Sequence, residues 1–578
     1  MRRRAWTVTI VLLVASAAEA RGSKHMDDLR SVLLRQVPEI LTTYDARTGR
    51  FGTGIWLCTD QNVMYPLAVA YSLNAPDNKY HRDSRLLEII MKAGDALIDE
   101  ADADGKWEFR KKDGSTWGKI SMPWTYSRWI RTFEIIRRDM PPDRRRRWAD
   151  ALTLGYGVIA REQLHRVQNI PAHHAMGLYA AGKVLNRPEW CRQAAEFLIR
   201  VADAQAEGGY WSEHAGPVVL YNAVYVEVLG LYYAMSRDDR VMPALEKAAR
   251  FHRHFTYPNG HAVETIDERN PYHKEVGTGN IGFAFTEDGR AYLATQWKHY
   301  GIDKLPADSI APFLHYGGID LPEDRPQTLL PLFVLTERGA DRAAVVRRGP
   351  WFVCLSAYTA PLSSERWIQD RQNFVSIYHD KLGLIAGGGN TKLQPAWSSF
   401  TVGDMGLLRH KEGDENPSFT PAGPLLHVPS AARLLRSPDV GLDLTYGSDT
   451  CRIRVRPIDD RRLEYAIEAK PQSDKPVVAH LALLPRLGRP LETGGGYTNT
   501  LGDAVVDLSP EQVGGRITHG GYRVQVPATA SLHWPALPHN PYRKDGRAEP
   551  AEGRIEIRVP FDGQHTAYVL VFEVLMSD

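Results

Sequence analysis

The sequence predicts a multidomain protein in which a helical half precedes a half built of β-strands. Residues 27–300 show one helical period of apolar residues after another, joined by loops rich in Gly, Pro, Asp and Trp. From about residue 306 the apolar residues fall into short alternating or β-branched runs separated by Pro and Gly. Many helices without strands between them indicate stacked hairpins, either a solenoid or a closed α/α toroid. The short strands indicate an antiparallel sandwich.

The helical segments share an apolar stripe repeating every three to four residues. They are Leu29–Leu41, Leu86–Ile98, Trp124–Arg138, Arg144–Leu164, Ala172–Leu185, Pro188–Ala204, Val218–Met235, Val241–Phe255 and Gly279–Tyr300. The strand segments are Ala343–Arg348, Trp351–Tyr358, Phe374–Tyr378, Leu382–Ala386, Cys451–Val455, Leu463–Ala469, Val477–Leu484, Tyr522–Val526, Gly553–Val559 and Thr566–Val574. The change from helical periods to short strand-like runs near residues 305–330 predicts a toroid domain at 21–305 and a sandwich domain at 306–578.

The N-terminus has the pattern of a secretory signal peptide. Three arginines follow Met1, an apolar run spans Ala5–Ala17, and Ala18-Glu19-Ala20 matches a small-residue cleavage site. The run is short for a membrane span of about 20 residues. We therefore expect residues 1–20 to be removed, with the mature chain starting at Arg21 and located in the periplasm or secreted.

Composition excludes several classes of partner and cofactor. The net charge is +2, so no bulk basic field points to nucleic acid. No stretch after the signal peptide is long and apolar enough to indicate a membrane partner. The four cysteines are widely spread without a C-x-x-C pair, so neither a disulfide scaffold nor a metal or other cofactor is indicated. Nothing in the sequence specifies an oligomeric state.

The first group of candidate functional residues lies at a predicted helix start. Asn169, His173 and His174 surround Pro171, which suits the first turn of a helix because its missing N–H would have no partner there. Helix N-termini carry partial positive charge and attract anions. The segment therefore predicts a site for an anionic group.

The second group precedes and enters another helix. Glu213 and His214 come before Pro217, which opens the helix, and Tyr221 and Tyr225 follow one turn apart on the same face. Amides, imidazoles, a carboxylate and phenols thus occur near two helix N-termini. These types suit acid–base chemistry on an anionic substrate.

A helical toroid followed by an antiparallel sandwich, behind a signal peptide, resembles the large α/α-toroid polysaccharide lyases. These include the chondroitin AC, alginate and heparinase II/III-like families. The resemblance implies an incomplete (α/α) toroid with a β-sandwich domain. It also implies an anionic, uronic-acid-containing polysaccharide as substrate, which is cleaved by β-elimination to a 4,5-unsaturated product.

The resemblance assigns the catalytic roles residue by residue. Asn169 matches the amide that neutralises the uronate carboxylate, and His173 or His174 matches the histidine that often assists it. Tyr221, which lies 52 residues after Asn169, matches the base and acid. Arg269 matches a later arginine. Tyr225 remains an alternative base.

The chemistry explains these residue types. Removing the proton at C5 of a uronate places negative charge on the adjacent carboxylate, and hydrogen-bond donors stabilise that charge most in the transition state. A phenol with a pKa of about 10 acts as a base at neutral pH only if its surroundings favour the phenolate.

Further side chains are predicted to contact substrate. Tryptophans in loops of the helical half suit stacking on sugar rings, and Tyr378-His379-Asp380-Lys381-Leu382 resembles the His-x-Asp-x-Leu strand of heparinase II/III-like proteins. The usual preceding His-Gly is absent, so no metal is predicted. The predicted substrate contacts are Glu213, His214, Tyr225, Trp117, Trp124, Trp211 and His379.

Structural roles are the alternatives at several positions. Asn169 also suits a helix cap, either tyrosine suits core packing, and Arg269 lies among acidic residues that suit an ion pair. For the whole protein, a glycoside hydrolase needs two carboxylates either ~5–5.5 or ~6.5–9.5 Å apart, which Glu213 with Asp267 or Glu264 would supply. A non-catalytic glycan-binding protein that uses the tryptophans is the third alternative.

Overall fold

The computed structural model describes residues 25–269, 276–317, 330–409, 411 and 413–575. Its contacts divide the chain into two compact units. The helical unit comprises Met1–Gln205, Leu220–Arg253 and Gly277–Gln327, and the β unit comprises Ala206–Val219, His254–Val276 and Thr328–Asp578. Two segments of the helical half of the sequence therefore belong to the β unit. The predicted signal peptide lies outside the described residues.

The helices match most of the predicted segments. They are α1 (25–41), α2 (Met64–Ser72), α3 (Ser84–Glu100), α4 (Pro123–Ile136), α5 (Pro142–Glu162), α6 (Asn169–Val184), α7 (Pro188–Asp203), α8 (Val219–Ser236), α9 (Met242–His254), α10 (Glu287–Tyr300), α11 (Ala307–Tyr316) and the short α12 (Pro510–Val513). Proline occupies the first turn of α4, α5 and α7, where its missing N–H has no helical partner to lose.

Helix pairs in the helical unit form two layers. The hairpins α2–α3, α4–α5 and α6–α7 each pack together, and α11, α2, α4 and α6 follow one another as neighbours. Nearly every residue of α2 and most of α4 and α6 are buried, whereas α3 and α7 bury one face. A helix buried all round belongs to an inner layer and an amphipathic one to an outer layer. This layering is that of the predicted α/α toroid.

Several details differ from the sequence prediction, among them helix α11, which follows the predicted boundary at residue 305. Helix α2 is missing from the prediction because its apolar residues have no helical period, as expected for a helix buried on all sides. The predicted helix 279–300 is interrupted, because the Thr286 side chain accepts a hydrogen bond from the Gly289 N–H and starts α10 afresh. A hairpin, β1 (Trp107–Arg110) and β2 (Thr116–Ile120), occupies a predicted loop.

The β unit contains the remaining strands. They are β3 (Leu332–Glu337), β4 (Ala340–Arg348), β5 (Trp351–Ser356), β6 (Val375–His379), β7 (Gly383–Ala386), β8 (Phe400–Val402), β9 (Ala431–Leu435), β10 (Gly441–Tyr446), β11 (Asp449–Pro457), β12 (Arg462–Lys470), β13 (Val477–Leu483), β14 (Pro490–Thr493), β15 (Thr498–Thr500), β16 (Val506–Leu508), β17 (Arg516–His519), β18 (Tyr522–Gln525), β19 (Ser531–Ala536), β20 (Arg554–Phe561) and β21 (Ala567–Val574).

Within the described residues these strands form two antiparallel sheets. One has the order β15-β14-β17-β18-β21-β12-β11-β10-β9, and the other has the order β16-β19-β20-β13-β7-β6-β5-β4-β3 with β8 on β13. In β11 and β12 every second residue is buried, which is the period-two pattern of a sheet with one face on a core. Residues of both sheets, such as Ile453 and Ile557, share one apolar core. The predicted antiparallel β-sandwich is confirmed.

No helix in the described part of the chain combines the length and apolar character needed to cross a membrane.

Two glycines inside outer-layer helices predict opposite effects of the same substitution. A Cβ at Gly94 in α3 would lie 1.9 Å from the Trp148 ring, whereas a Cβ at Gly157 in α5 meets nothing closer than 3.5 Å. We expect Gly94→Ala to lower the free energy of unfolding by roughly 1–3 kcal/mol through overpacking. We expect Gly157→Ala to raise it by up to about 1 kcal/mol through helix propensity. Chemical denaturation of both variants measures this, and equal effects would contradict the packing described.

Candidate active site

Asn169 is the first residue of α6, and Gln168 occupies the N-cap position. The Asn169 Oδ1 accepts a hydrogen bond from the adjacent Ile170 N–H at 2.7 Å. Its Nδ2 has no hydrogen-bond partner among the described residues, and the side chain is half-buried. The amide therefore keeps a donor available to a ligand, and it does not occupy the N-cap position that the structural alternative required.

His173 and His174 both lie inside the helical unit. The His173 Nε2 lies 2.9 Å from the Ser127 Oγ and 3.4 Å from the Arg128 Nη1, and the residue is fully buried. Burial, reinforced by the charges of Arg128 and Arg131, lowers the pKa of His173 well below its usual value. Burial also lowers the pKa of His174 to about 3. Both imidazoles are therefore neutral and enclosed.

A charge cluster of the buried Arg128 with the partly exposed Asp308 and Glu227 lies beside His173. Arg128 donates to Asp308 Oδ1 and Oδ2, at 3.1 Å from Nε and 2.8 Å from Nη2, and lies 3.5 Å from Glu227. The two carboxylates raise the pKa of Arg128, against the opposing effect of burial, while Arg128 keeps the pKa of Asp308 below its usual value. The cluster joins α4 to α8 and α11. The contacts of His173 with Ser127 and Arg128 therefore give this histidine a structural role.

The two candidate tyrosines of α8 differ in exposure. Tyr225 is 1 % exposed and belongs to the core, whereas Tyr221, one turn earlier, is half-buried. Between them, the Asn222 Nδ2 lies 2.8 Å from the buried His252 Nε2, which fixes the rotation of the helix. A base must reach its substrate, so exposure favours Tyr221 over Tyr225.

Asp267 holds the first turn of α8. Its Oδ2 accepts the backbone N–H of Val219 at 2.7 Å, and its Oδ1 accepts the N–H of Arg269 at 2.7 Å. Val219 is the first residue of α8, so a carboxylate meets the partly positive helix N-terminus. Asp267 is 1 % exposed. Both of its oxygens are committed to backbone donors.

Glu268 holds the imidazole of His214. The His214 Nδ1 lies 2.8 Å from Glu268 Oε1, and Glu268 Oε2 accepts the Ala215 N–H at 2.9 Å. The carboxylate is 1 % exposed, whereas the His214 side chain is 41 % exposed. Because a carboxylate only accepts, the Nδ1 of His214 carries the proton. The other ring nitrogen, Nε2, is left for a ligand in a fixed ring orientation.

Arg371 lies behind Glu268 and is 2 % exposed. Its Nη1 donates to the Ile266 carbonyl at 2.9 Å, and its Nη2 lies 3.8 Å from Glu268 Oε2. Burial lowers the pKa of Arg371, and the charges of Glu268 and Asp267 partly offset this. A cation beside two buried carboxylates reduces the cost of keeping them charged.

The carboxylates required by a hydrolase are placed differently. Glu264 is 1 % exposed, and its Oε1 accepts from the Gly388 N–H at 3.0 Å and from the Tyr257 hydroxyl at 3.2 Å. Asp267 is committed as described above. Only Glu213 of this set is half-exposed. The structure therefore does not present an open pair of these carboxylates.

The predicted aromatic contacts divide by exposure. Trp117 on β2 is 61 % exposed, with the Lys111 Nζ 4.4 Å from its ring centroid. Trp124 is half-buried, with its ring 5.7 Å from that of His173. Trp211 is 2 % exposed, so neither face of its ring is open to a sugar.

His379 has a structural environment. Its Nε2 donates to the Asp460 carbonyl at 3.0 Å, its Nδ1 accepts from the Lys381 N–H at 3.2 Å, and the residue is 5 % exposed. Both ring nitrogens are therefore used in holding the turn after β6, which argues against the predicted substrate contact. Among the described residues, no group of three or more metal-ligating side chains comes together.

Arg269 is half-buried in the β unit. Its guanidinium carbon is 5.9 Å from the centroid of the Trp367 ring, and its backbone N–H donates to Asp267. Trp367 and Glu268 were not among the predicted site residues. Glu268 is one of the acidic residues around Arg269 for which the sequence predicts only an ion pair, although its place directly before a predicted catalytic residue is a signal.

No protein-family model and no curated protein matches this chain. Solved structures do match it. Heparinase III has a TM-score of 0.54 and 12 % identity, over 89 % of this chain and 76 % of its own. A mutant of heparan sulfate lyase HepC from Pedobacter heparinus has a TM-score of 0.54 and 10 % identity, over 97 % and 89 %. Paenibacillus xanthan lyase has a TM-score of 0.54 and 10 % identity, over 96 % of this chain and 57 % of its own.

The chain has the fold of these lyases. At such low identities the likeness establishes the fold, an α-toroid followed by a β-sandwich, and the predicted resemblance is confirmed at that level. It does not carry over the activity of any of them.

Buried neutral histidines predict a loss of stability in mild acid. Burial lowers the pKa of His174, His252 and His315 to about 3 each, against about 6.5 in an unfolded chain. The unfolded chain therefore binds more protons below pH 6.5, so stability is full above that pH and falls as pH drops toward 3. Each histidine should remove about 2 kcal/mol of unfolding free energy between pH 7.5 and pH 5.

Chemical denaturation at the two pH values measures this loss. His174→Gln should shrink the difference between pH 7.5 and pH 5 by about the contribution of one histidine, whatever its effect at pH 7.5 alone. An unchanged difference in the variant would contradict the neutral, enclosed state of His174.

Proposed function

We propose that this protein is a polysaccharide lyase that cleaves a uronic-acid-containing polysaccharide by β-elimination. The observation that carries the proposal is which acid–base side chains are exposed and which are already hydrogen-bonded within the protein. The His214 imidazole is open and held by a buried carboxylate, whereas Asp267 and Glu264 are committed to other donors. The fold shared with heparinase III and HepC supports the same reading.

Tyr221 is assigned as the base that removes the C5 proton and as the acid that protonates the leaving O4. It is the half-exposed phenol at the start of α8, one turn before the buried Tyr225. A phenolate that accepts the C5 proton becomes a phenol, which can return that proton to an oxygen on the same face of the sugar. One residue then serves both half-steps, and no second carboxylate is needed.

Asn169 is assigned to the uronate carboxylate. Its Nδ2 lacks a partner among the described residues and lies at the start of α6, where the helix N-terminus also favours negative charge. As the C5 proton leaves, charge builds on that carboxylate, and a donor aimed at it strengthens in the transition state. His173 and His174 are enclosed, so we do not assign them to substrate.

His214 is assigned to assist Tyr221 by favouring its phenolate form, with Glu268 as the residue that positions the imidazole. The hydrogen bond to Glu268 fixes both the tautomer and the orientation of the ring. Arg269 is assigned to the anionic substrate, since it is a half-buried cation that follows Glu268 directly in the chain. A glycan-binding protein without activity needs none of these acid–base arrangements, which is why we rank it lower.

The Tyr221→Phe variant tests the assigned base. It keeps the ring and its packing, so stability should change by only about 0.5–1.5 kcal/mol, while turnover should fall to background. Purified protein is assayed on alginate, hyaluronan, chondroitin sulfate and heparan sulfate by the ultraviolet absorbance of the unsaturated product. Tyr225→Phe is the matched control and should keep its activity. Reducing ends without absorbance in the parent enzyme would indicate a hydrolase instead.

A double-mutant cycle tests the pairing of Glu268 with His214. His214→Gln should lower kcat by roughly 10²–10⁴-fold, the range for a general acid–base group. Glu268→Gln should lower kcat and change the pH dependence, because it frees the tautomer of His214. If Glu268 acts through His214, the double variant should be no slower than His214→Gln. Additive losses would show that Glu268 has a separate, structural role. Glu365→Gln, at an exposed glutamate of the same unit, is the control.

A further inference from the structure

A second feature of the β unit lies outside the residues assigned above. Tyr542 is 66 % exposed, and its ring centroid lies 5.4 Å from that of the half-buried Trp367, with the ring planes at 57°. The guanidinium carbon of Arg269 lies 5.9 Å from the centroid of the Trp367 ring. We call Trp367 and Tyr542 the aromatic shelf. Two adjacent rings form a contiguous apolar surface, and surfaces of this kind mark ligand-binding sites when they are rimmed by polar groups.

Hydrogen bonds fix the shelf in place. The Tyr542 N–H donates to Asn540 Oδ1 at 3.0 Å, and the Asn540 N–H donates to the Gly546 carbonyl at 2.9 Å. The Arg366 Nη2 donates to the carbonyls of Arg543 and Lys544, both at 2.9 Å. Arg366, which precedes Trp367 in the chain, thus holds the loop that carries Tyr542 by these two hydrogen bonds. The two rings are presented as a preformed surface, which lowers the entropic cost of binding.

Positive charge accompanies the shelf. Arg366 donates to carbonyls and has no carboxylate within 4 Å among the described residues. Lys544 pairs with Glu415 at 2.6 Å and Arg543 with Glu549 at 2.8 Å, so these charges are already balanced. Arg366 therefore gives the surface a cationic character, and Arg269 is a second arginine beside Trp367. This combination suits a ligand that has both apolar ring faces and negative charge.

The shelf is connected to the assigned acid–base pair. The Gln369 N–H, two residues after Trp367, donates to the backbone carbonyl of Glu268 at 3.0 Å. The Glu268 side chain in turn holds His214. Arg269, which follows Glu268 in the chain, lies over Trp367. The shelf and the acid–base pair are thus parts of one hydrogen-bonded region of the β unit.

We propose that the aromatic shelf is a subsite for a sugar residue of an anionic polysaccharide. The C–H face of a pyranose packs on Trp367 and Tyr542, and Arg269 and Arg366 attract the carboxylate or sulfate groups of the chain. This inference rests on the proposed function and deepens it. The subsite adds affinity for the polymer without taking part in the chemical step.

Binding to a catalytically silenced protein tests the subsite separately from turnover. Tyr221→Phe protein is titrated with alginate, hyaluronan, chondroitin sulfate and heparan sulfate, with dextran as the uncharged polymer. Adding Tyr542→Ala should weaken binding of an anionic polymer about 2- to 10-fold, the range for one aromatic contact. Tyr542→Phe should bind as the parent does, because the ring and not the hydroxyl carries the contact. Val505→Ala, at an exposed apolar residue elsewhere, should also have no effect.

The outcomes separate the subsite from the proposed function. Equal affinity of the Tyr542→Ala and parent proteins, or no binding to any anionic polymer, overturns the subsite. Binding of dextran as tight as that of the anionic polymers overturns the role of the two arginines. If no polymer yields unsaturated product but binding still depends on Tyr542, the lyase proposal fails and the subsite stands. In the active enzyme, Tyr542→Ala should raise KM for polymer and leave kcat unchanged.

Discussion

Two adjacent buried carboxylates, Asp267 and Glu268, determine the geometry of the region before α8. Asp267 binds the first N–H of that helix, and Glu268 binds both a backbone N–H and the imidazole of His214. Burying carboxylates is costly unless donors surround them. Here the donors are backbone groups and an imidazole, and the nearby Arg371 adds a compensating positive charge. The same bonds that stabilise the segment therefore orient its functional side chain.

This constraint also explains which polar residues serve structure and which remain open. Side chains whose polar atoms are fully used, such as Asp267 and His379, hold turns or loops together. By contrast, the Nδ2 of Asn169 and the Nε2 of His214 have no hydrogen-bond partner among the described residues. Partly satisfied groups at a surface are the ones that can exchange a protein contact for a ligand contact. Whether a side chain serves structure or remains open to a ligand thus depends on how many of its donors and acceptors are already satisfied, and not on its residue type.

The sequence predicted the fold class well because its signals are local. Periods of three to four residues defined most helices, and strict alternation in β11 and β12 defined a half-buried sheet. Helix α2 and the β1–β2 hairpin escaped notice, since one lacks a period and the other is short. The histidines of α6 were misleading for a related reason. Their neighbours Ala172, Ala175 and Met176 are buried on several sides of the helix, so the imidazoles are enclosed with them. Pairings across long separations, such as His214 with Glu268 or Trp367 with Tyr542, leave no trace in a single sequence.

The division of the chain into units has a consequence for synthesis on the ribosome. The path leaves the helical unit at residue 205, returns at 220, leaves again at 253 and returns at 277. Domains generally fold as they emerge, with the N-terminal part first. Here Ala206–Val219 and His254–Val276 emerge early, yet they belong to a unit whose sheets are completed only by β21, near the C-terminus. The segment that carries His214 and the carboxylates that hold it must therefore wait for almost the whole chain. A chain that stops before β21 has the helices but an unfinished β unit, so His214 and Glu268 lack the sheets of the unit to which they belong.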